Sequence, residues 1–140
     1  MYSLVYVSKS LLPIGQASAE IQSIVEVATA RNAAAGVTGA LLFTGTRFAQ
    51  LLEGDEEAVL AIMASIAADE RHCDVVIIDQ GPAAARCFAD WSLVYVGHST
   101  FASGIVERAL AESGQSDGYA LRNLIRLLRE LARPLAPRGA

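Results

Sequence analysis

The stretch RNAAAGVTGALLFTGTRFAQLLEG, residues 31–54 of the 140-residue chain, decides the fold. Its pattern predicts the end of a helix, a strand, a tight turn around Gly45 and a second strand, joined as a hairpin. Two carboxamides, Asn32 and Gln50, lie in this stretch at positions where an apolar side chain is the ordinary choice. The first question about function is therefore what these amides bind.

Gln50 is predicted to point into the core. A strand of period two starting at Arg47 puts Phe48, Gln50 and Leu52 on one face. The opposite face then carries Arg47, Ala49, Leu51 and Glu53. The face with Phe48 and Leu52 is the better candidate for burial. Burying an amide without a partner costs about 1–3 kcal/mol, so some group must hydrogen-bond to Gln50.

The segment before the hairpin is predicted to be a helix that begins with Ser18 as its cap and ends at Gly36, a usual left-handed cap. Apolar residues recur in it at helical spacing: Ile21, Ile24, Val25 and Ala28. Continuing that stripe by four residues reaches Asn32. We therefore expect the Asn32 side chain to face inward as well.

After the hairpin, Asp55 is predicted to cap a second helix. The apolar stripe of this helix consists of Val59, Ile62, Met63 and Ile66. One further step of three residues reaches Asp69, which is followed closely by Arg71 and His72. A solvated charge cluster is the ordinary interpretation of such residues at a helix end.

The remaining strands are predicted from β-branched and aromatic runs at residues 2–8, 73–78 and 91–97. Loops are expected at residues 9–17 and around Gly81 and Pro82. The resulting order, βαββαββ, fits an α+β, ferredoxin-like domain with a mixed sheet and both helices on one face.

We expect this domain to occupy residues 1–98 and a C-terminal helical extension to occupy residues 99–140. The extension carries an apolar stripe formed by Leu121, Leu124, Ile125, Leu128 and Leu131. The opposite face carries Arg122, Arg126, Arg129 and Arg133. The stripe either covers the open face of the sheet or joins a homodimer or a regulator, and the arginine face would then steer an acidic partner.

Charge and composition argue against several classes of function. Residues 1–117 hold 6 basic and 14 acidic side chains, a net charge of −8, which disfavours direct nucleic-acid binding. No apolar run approaches the roughly 20 residues of a membrane span, and the N-terminus lacks a secretory signal, so we expect a cytoplasmic protein without membrane contact. Cys73 and Cys87 fit neither a metal-binding nor a disulfide pattern, and no metal site is expected.

In a ferredoxin-like arrangement, Tyr6, Asn32, Gln50 and Asp69 would point toward one groove between the helices and the sheet. Taken singly, each has an ordinary structural explanation, because a buried phenol or amide often bonds to nearby backbone. Together, a phenol and two carboxamides leave about five donors and acceptors to satisfy in an apolar cavity. A flat heterocycle with alternating carbonyl and N–H groups would satisfy them.

Other residues near this groove suit the same ligand. Ile24 and Ile66 would sandwich a flat ring between the two helices. Arg71 and His72 at the mouth would meet a phosphate or a ribityl chain.

Five motifs in order resemble the BLUF domains, which are blue-light sensors that use FAD. They are LVYVS (4–8), NAAAGVTGALLF (32–43), RFAQLLEG (47–54), DERH (69–72) and FADWS (88–92). The resemblance runs from about Tyr2 to Tyr95. It implies a photosensory flavoprotein that is not an enzyme, that binds FAD, with FMN as a possible alternative, and that signals to an unidentified downstream protein through its fifth strand and C-terminal helices.

The resemblance also implies roles for individual residues. Tyr6 would give an electron and then a proton to the excited flavin, and Gln50 would rearrange its hydrogen bonds between Tyr6 and the flavin. Asn32 would bond to the O4 and N3 edge of the ring, and Trp91 would be the mobile tryptophan beside it. The full expected cofactor-binding set is Tyr6, Ile24, Ala28, Arg31, Asn32, Phe48, Gln50, Ile66, Asp69, Arg71 and His72.

Two positions depart from the family pattern. Leu93 stands where the family commonly has Met beside the tryptophan. The Met-linked route by which the fifth strand would report the flavin state is therefore not expected to be the same here. Ser65 stands where the family often has Arg, which removes a possible charge near the outer end of the cofactor. Neither departure touches Tyr6 or Gln50.

The alternative function is a flavin-free ligand-binding module or a small hydrolase on the same fold. An acylphosphatase-like hydrolase needs an Arg and an Asn around a phosphate-cradling loop. The first loop here, SKSLLPIGQ at residues 8–16, lacks that arginine. A flavin-free module would give a colourless preparation, whereas a sensor would be yellow.

Overall fold

The computed structural model describes residues 1–13, 17–89, 92–96, 100–112 and 119–132. Its elements are β1 (Tyr2–Ser10), α1 (Ala17–Ala35), β2 (Thr38–Phe43), β3 (Arg47–Gly54), α2 (Glu56–Ala67), β4 (His72–Pro82), β5 (Val94–Val96), α3 (Thr100–Ala111) and α4 (Tyr119–Ala132). This order confirms the predicted ferredoxin-like βαββαββ arrangement followed by two C-terminal helices. No helix in the described ranges is both long enough and apolar enough to cross a membrane.

The five strands form one mixed sheet in the order β4-β1-β3-β2-β5. β2 and β5 run parallel, and the other neighbouring strands are antiparallel. β3 is the middle strand, and in it Gln50 pairs with Tyr6 of β1 on one side and with Leu41 of β2 on the other. The hairpin turn places Gly45 at φ 100°, as the tight connection requires. The centre of the sheet is therefore where the phenol and the amide meet.

Both faces of the sheet are buried. On one face, Leu4 and Leu52 pack with the inward stripe of α2. On the other face, Val5 and Leu51 pack with apolar residues of α3 and α4, including Leu124, Leu127 and Leu128. Leu121, Leu124 and Leu128 of the predicted stripe therefore cover the open face of the sheet, the first of the two alternatives, while the Leu131 side chain lies outside those described. The predicted burial of Phe48, Gln50 and Leu52 is confirmed, and the opposite face of β3, with Ala49, Leu51 and Glu53, is equally inaccessible.

Several boundaries differ from those predicted. β1 continues through Ser10, and β4 includes Gly81 and Pro82, where loops were expected. β4 is an edge strand, so a proline without an N–H is tolerated in it. β4 also bulges, with Asp74 at φ 52° where its register against β1 shifts. β5 is only three residues long, and Trp91 lies outside the described residues.

The two helices that face the cavity begin and end near the predicted positions. Gly36 adopts φ 69° and ends α1, while the Val37 N–H donates to the Asn32 carbonyl at 2.9 Å. Asp55 occupies the N-cap of α2, but its side chain makes no capping hydrogen bond, contrary to the prediction. The expected cap of α1, Ser18, lies outside the described side chains.

Gly39 generates a testable prediction about sheet packing. A Cβ atom at Gly39 would overlap the backbone carbonyl of Leu51 in β3, so the β2–β3 pair could accept it only by separating. We expect Gly39→Ala to lower the free energy of unfolding by about 2 kcal/mol or more, as overpacking against rigid backbone does. Chemical denaturation followed by circular dichroism measures this change.

Gly104 in α3 supplies the matched control. A Cβ atom there meets nothing within 4 Å. Gly104→Ala should raise the free energy of unfolding by up to about 1 kcal/mol, because alanine favours a helix over glycine. Equal effects of the two substitutions would contradict the close β2–β3 approach.

Candidate cofactor site

A cavity of about 210 Å³ lies between the helix pair α1–α2 and the central strands. Its walls are formed by Tyr6, Ile24, Val27, Ala28, Arg31, Leu41, Phe48, Gln50, Ser65, Ile66, Asp69, Arg71 and His72. The volume is below the roughly 300–1,000 Å³ typical of small-molecule sites. The cavity therefore suits a ring system whose substituents extend past its mouth rather than a whole dinucleotide.

Tyr6 and Gln50 form the polar centre of the cavity wall. The Tyr6 hydroxyl donates to Gln50 Oε1 at 2.7 Å, and the two side chains are only 3% and 2% exposed. The other end of the amide, Nε2, is buried and has no hydrogen-bond partner among the described residues. A buried N–H₂ without an acceptor is costly, so the cavity calls for a ligand that presents an acceptor to Gln50.

The cavity wall combines a neutral phenol with a cation. Burial raises the pKa of Tyr6 well above its ordinary value, an effect that the nearby Arg31 charge partly offsets. Desolvation in turn lowers the pKa of Arg31, whose Nε is buried without a partner among the described residues. Tyr6 therefore keeps its proton, and Arg31 offers a second unsatisfied donor to a ligand with acceptor atoms.

Asn32 lies beside the cavity rather than in its wall. It is fully buried, and its Nδ2 donates to the Ser92 carbonyl at 3.0 Å, just before β5. Its Oδ1 accepts only a long bond, 3.5 Å, from the Arg31 guanidinium. The Asn32 amide thus already connects α1 to the segment that leads into β5, and the oxygen is the end with spare capacity for a ligand.

His72 bridges the end of α2 and β1. Its Nε2 lies 2.6 Å from the Ile66 carbonyl, and its Nδ1 lies 2.7 Å from Ser8 Oγ. Because a carbonyl can only accept, Nε2 must carry a hydrogen. The ring also meets Tyr6 and Phe48 edge-on, with centroids 6.2 and 6.1 Å apart. His72 therefore fixes the position of the two aromatic walls.

At the mouth, Asp69 and Arg71 form a close ion pair. The Arg71 Nε and Nη2 donate to the two carboxylate oxygens at 3.0 and 2.6 Å, and the Arg71 backbone N–H donates at 2.9 Å. Glu20 lies 4.0 Å from the same guanidinium. Because two carboxylates already face Arg71, a phosphate would meet an arginine whose charge is largely compensated.

The structure brings nearly all of the predicted site residues together. Every residue of the expected cofactor-binding set lines the cavity except Asn32, and Trp91 lies outside the described residues. The expected cofactor-binding set did not include three residues of the cavity wall, Val27, Leu41 and Ser65. Leu41 could have been found, because it occupies the position opposite Gln50 across the hairpin.

Comparison with known proteins points to one family. The family described as "Sensors of blue-light using FAD", BLUF, matches residues 1–94. Photoactivated adenylate cyclase subunit beta of Euglena longa is 35% identical over 92 residues, which are 65% of this chain and 10% of the cyclase subunit. The chain thus spans about a tenth of the length of the cyclase subunits that it matches.

Solved structures give the same result. The dark-state structure of the BLUF protein BlrB has a TM-score of 0.77 and 29% identity, and the similarity covers 92% of this chain and 95% of BlrB. Klebsiella pneumoniae BlrP1, solved with FMN and cyclic diGMP, has a TM-score of 0.66 and 29% identity, covering 97% of this chain and 36% of BlrP1.

The ion pair at the mouth generates a prediction about pH. Hydrogen bonds from the Arg71 side chain lower the pKa of Asp69. The pair therefore stabilises the fold above the ordinary carboxyl range, near pH 4, and loses that contribution as the pH falls toward the depressed pKa. Arg71→Gln should return the pKa of Asp69 toward its ordinary value, as measured by NMR titration of the side-chain carboxyl carbon.

Arg126, an exposed arginine of α4, supplies the control. Arg126→Gln should leave the titration of Asp69 unchanged. An Asp69 titration that is also unmoved by Arg71→Gln would show that the carboxylate is not held by this arginine.

Proposed function

The chain belongs to the BLUF family of blue-light sensors that use FAD and is a photosensory flavoprotein, and we propose that Tyr6 and Gln50 are the residues with which it responds to light. The observation that carries this proposal is the buried hydrogen bond between them, together with the unpaired Gln50 Nε2 at the cavity. The matched family consists of sensors, so we assign no catalytic activity to this region. A flavin-free module or a hydrolase has no such support.

The residues present fit an isoalloxazine ring. Gln50 Nε2 and the Arg31 guanidinium would bind acceptor atoms of such a ring, and Asn32 Oδ1, beside the cavity, has spare capacity to accept from a ring N–H. Ile24, Ala28 and Ile66 supply the apolar surfaces of the cavity. We propose FAD as the bound flavin, with its phosphates outside the small cavity. FMN, which the BlrP1 structure holds, is the alternative.

A flavin bound here would supply absorption of blue light and, once excited, a strong oxidant. Tyr6 is placed to respond to it, because its hydroxyl is protonated in the dark and already hydrogen-bonded to Gln50 Oε1. On giving an electron to the excited flavin, the Tyr6 phenol would become strongly acidic and would release its proton along its hydrogen bond to Gln50 Oε1. Return of the electron and the proton restores the phenol, so the chain undergoes no net chemical change.

Gln50 then acts as the switch. Its amide has a donor at one end and an acceptor at the other, so a half-turn exchanges Nε2 and Oε1 between the cavity and Tyr6. The two orientations present different hydrogen bonds to the cavity from the same side chain. Because both ends of the buried amide require partners, the amide occupies one of two distinct orientations and not a continuous range of them.

We propose that the change is relayed from the sheet domain, residues 1–98, to the C-terminal extension, residues 99–140. Asn32 supports this route, because its hydrogen bond to Ser92 connects the cavity side of the sheet to β5. α3 and α4 pack directly on β5 and the sheet. The output is a cytoplasmic downstream protein, or a homo-oligomer formed through the extension.

Tyr6→Phe tests the photochemical pair. In the wild type we expect a blue pulse to redden the flavin absorption, because the rearranged Gln50 amide would add a hydrogen bond to the ring. We expect the variant to bind flavin, because the aromatic ring remains in the wall, and to lose this red shift entirely, because it has no phenol to give an electron and a proton. The measurement is the flavin absorption spectrum before and after a blue pulse.

Tyr2→Phe is the matched control for this experiment. The Tyr2 hydroxyl lies on the same strand as Tyr6 but donates to Gln80 of β4 at an exposed position, so the full shift should remain. A wild-type photocycle in Tyr6→Phe would overturn the assignment.

Ala28→Leu tests the position of the ring. Ala28 is buried in the cavity wall, so a larger side chain takes up part of the cavity. Overpacking by about 1–3 kcal/mol should weaken flavin binding about tenfold to a hundredfold. Equilibrium titration with flavin measures the Kd.

Ala30→Leu introduces the same side chain on the exposed face of α1 and should leave the Kd unchanged. Equal flavin affinity in the two variants would place the cofactor elsewhere.

A further inference from the structure

We propose that Glu53 is a positioning residue that couples the cofactor cavity to the C-terminal helices, by holding the connection between β4 and β5 against the end of β3. The proposal rests on the proposed function, because it names how the state of Gln50 reaches the extension. Glu53 lies three residues after Gln50 in the same strand and is 1% exposed. Its carboxylate takes no part in the cavity.

The connection between β4 and β5 must cross the whole sheet. β4 lies at one edge and β5 at the other, so the chain passes the ends of β1, β3 and β2 on its way. We call the described part of this connection, residues 83–89, the crossing segment. Its first residue already contacts the sheet end, because the Ala83 N–H donates to the Met1 carbonyl at 2.9 Å.

The Glu53 carboxylate binds the crossing segment where it passes β3. Oε2 accepts from the Cys87 N–H at 2.8 Å, and Oε1 accepts from the Phe88 N–H at 2.7 Å. The Thr38 hydroxyl of β2 also donates to Oε1, at 3.0 Å. A buried carboxylate is tolerated only with such partners, and here two of the three are backbone amides of the crossing segment.

Arg86 strengthens the same attachment. Its guanidinium donates to the Thr38 hydroxyl, the Glu53 backbone carbonyl and the Gly36 carbonyl at 2.9, 3.2 and 3.0 Å. The Thr38 hydroxyl therefore accepts from the cation and donates to the carboxylate. Arg86 is thus bound to the ends of α1, β2 and β3 at once.

The connection between β4 and β5 contacts side chains on both faces of the sheet. Phe88 is buried in the cluster that contains α3 and α4, on the face opposite the cavity. Ser92, beyond the crossing segment, is bound by Asn32 from the cavity side. Gln50 and Glu53 lie on one strand but on opposite faces. A displacement of β3 during the Gln50 switch would therefore move the Glu53 carboxylate, and with it the two amides that it binds and the Phe88 side chain.

Glu53→Gln tests this attachment. Both carboxylate oxygens face N–H donors, so an amide in either orientation turns its own N–H₂ toward one of them. In the flavin-loaded protein we expect amide exchange of Cys87 and Phe88 to be at least about tenfold faster than in the wild type. The light-induced change in exchange within α3 and α4 should disappear, while the red shift of the flavin remains.

Native-state hydrogen exchange by NMR, in the dark and under blue light, measures both effects. Glu57→Gln on the exposed face of α2 is the control and should behave as the wild type. Wild-type protection of Cys87 and Phe88 in Glu53→Gln, or a wild-type light response of α3 and α4, would overturn the proposal. If the flavin of the wild type reddens but α3 and α4 do not respond to light, the proposed coupling is wrong and the assignment of Tyr6 and Gln50 is unaffected. If the flavin does not redden, the proposed function itself is wrong.

Thr38→Val provides a milder variant if Glu53→Gln does not fold. It removes one donor to Oε1 and one acceptor of Arg86, but it keeps a β-branched side chain and leaves both backbone amides bonded. We expect a smaller light response of α3 and α4 than in the wild type. An unchanged response would count against the role of the carboxylate.

Discussion

The structure depends on a hydrogen bond buried at the middle of the sheet, between the Tyr6 hydroxyl and Gln50 Oε1. A phenol offers one hydrogen and an amide offers two different ends, so one contact leaves the amide nitrogen unsatisfied. Nearly every wall of the cavity is apolar or already engaged, as His72 is by Ser8 and Ile66. The fold thus tolerates a polar centre that a ligand completes, and that need separates this site from an ordinary core.

The two faces of the sheet are packed differently around this hydrogen bond. The face toward α1 and α2 leaves a cavity between its apolar clusters, whereas the face toward α3 and α4 is filled by leucine, valine and alanine side chains. Close packing on the filled face makes it sensitive to small displacements of the strands. A sheet with a cavity on one face and a tightly packed helical layer on the other is suited to turn a local rearrangement into a change at the helices.

Much of this arrangement could be predicted from the sequence. The period-two pattern around Phe48 and Leu52 placed Gln50, and the helical stripes led to Asn32 and Asp69, because neighbouring apolar residues decide which side a residue faces. The Asn32 bond to Ser92 could not be predicted, because it joins residues 60 positions apart across a connection without a regular pattern. The burial of Glu53 was missed for a related reason: its face of β3 becomes core only when α3 and α4 cover it. The length of β4 was missed because Gly81 and Pro82 are turn residues in most contexts and are tolerated here by an edge position.

The turn between β2 and β3 sets the register of two polar residues of β3, Gln50 and Glu53, which lie on opposite faces of the sheet. With Thr44 and Arg47 bonded across Gly45, the turn sets which residues of β3 face each helical layer. A slip of one residue would drive the Glu53 carboxylate toward α1 and α2 and bury the Gln50 amide among the leucines of α4. Insertion or deletion of a residue in this turn would therefore displace the cavity amide and the buried carboxylate together, so we expect the turn to tolerate a change of length poorly.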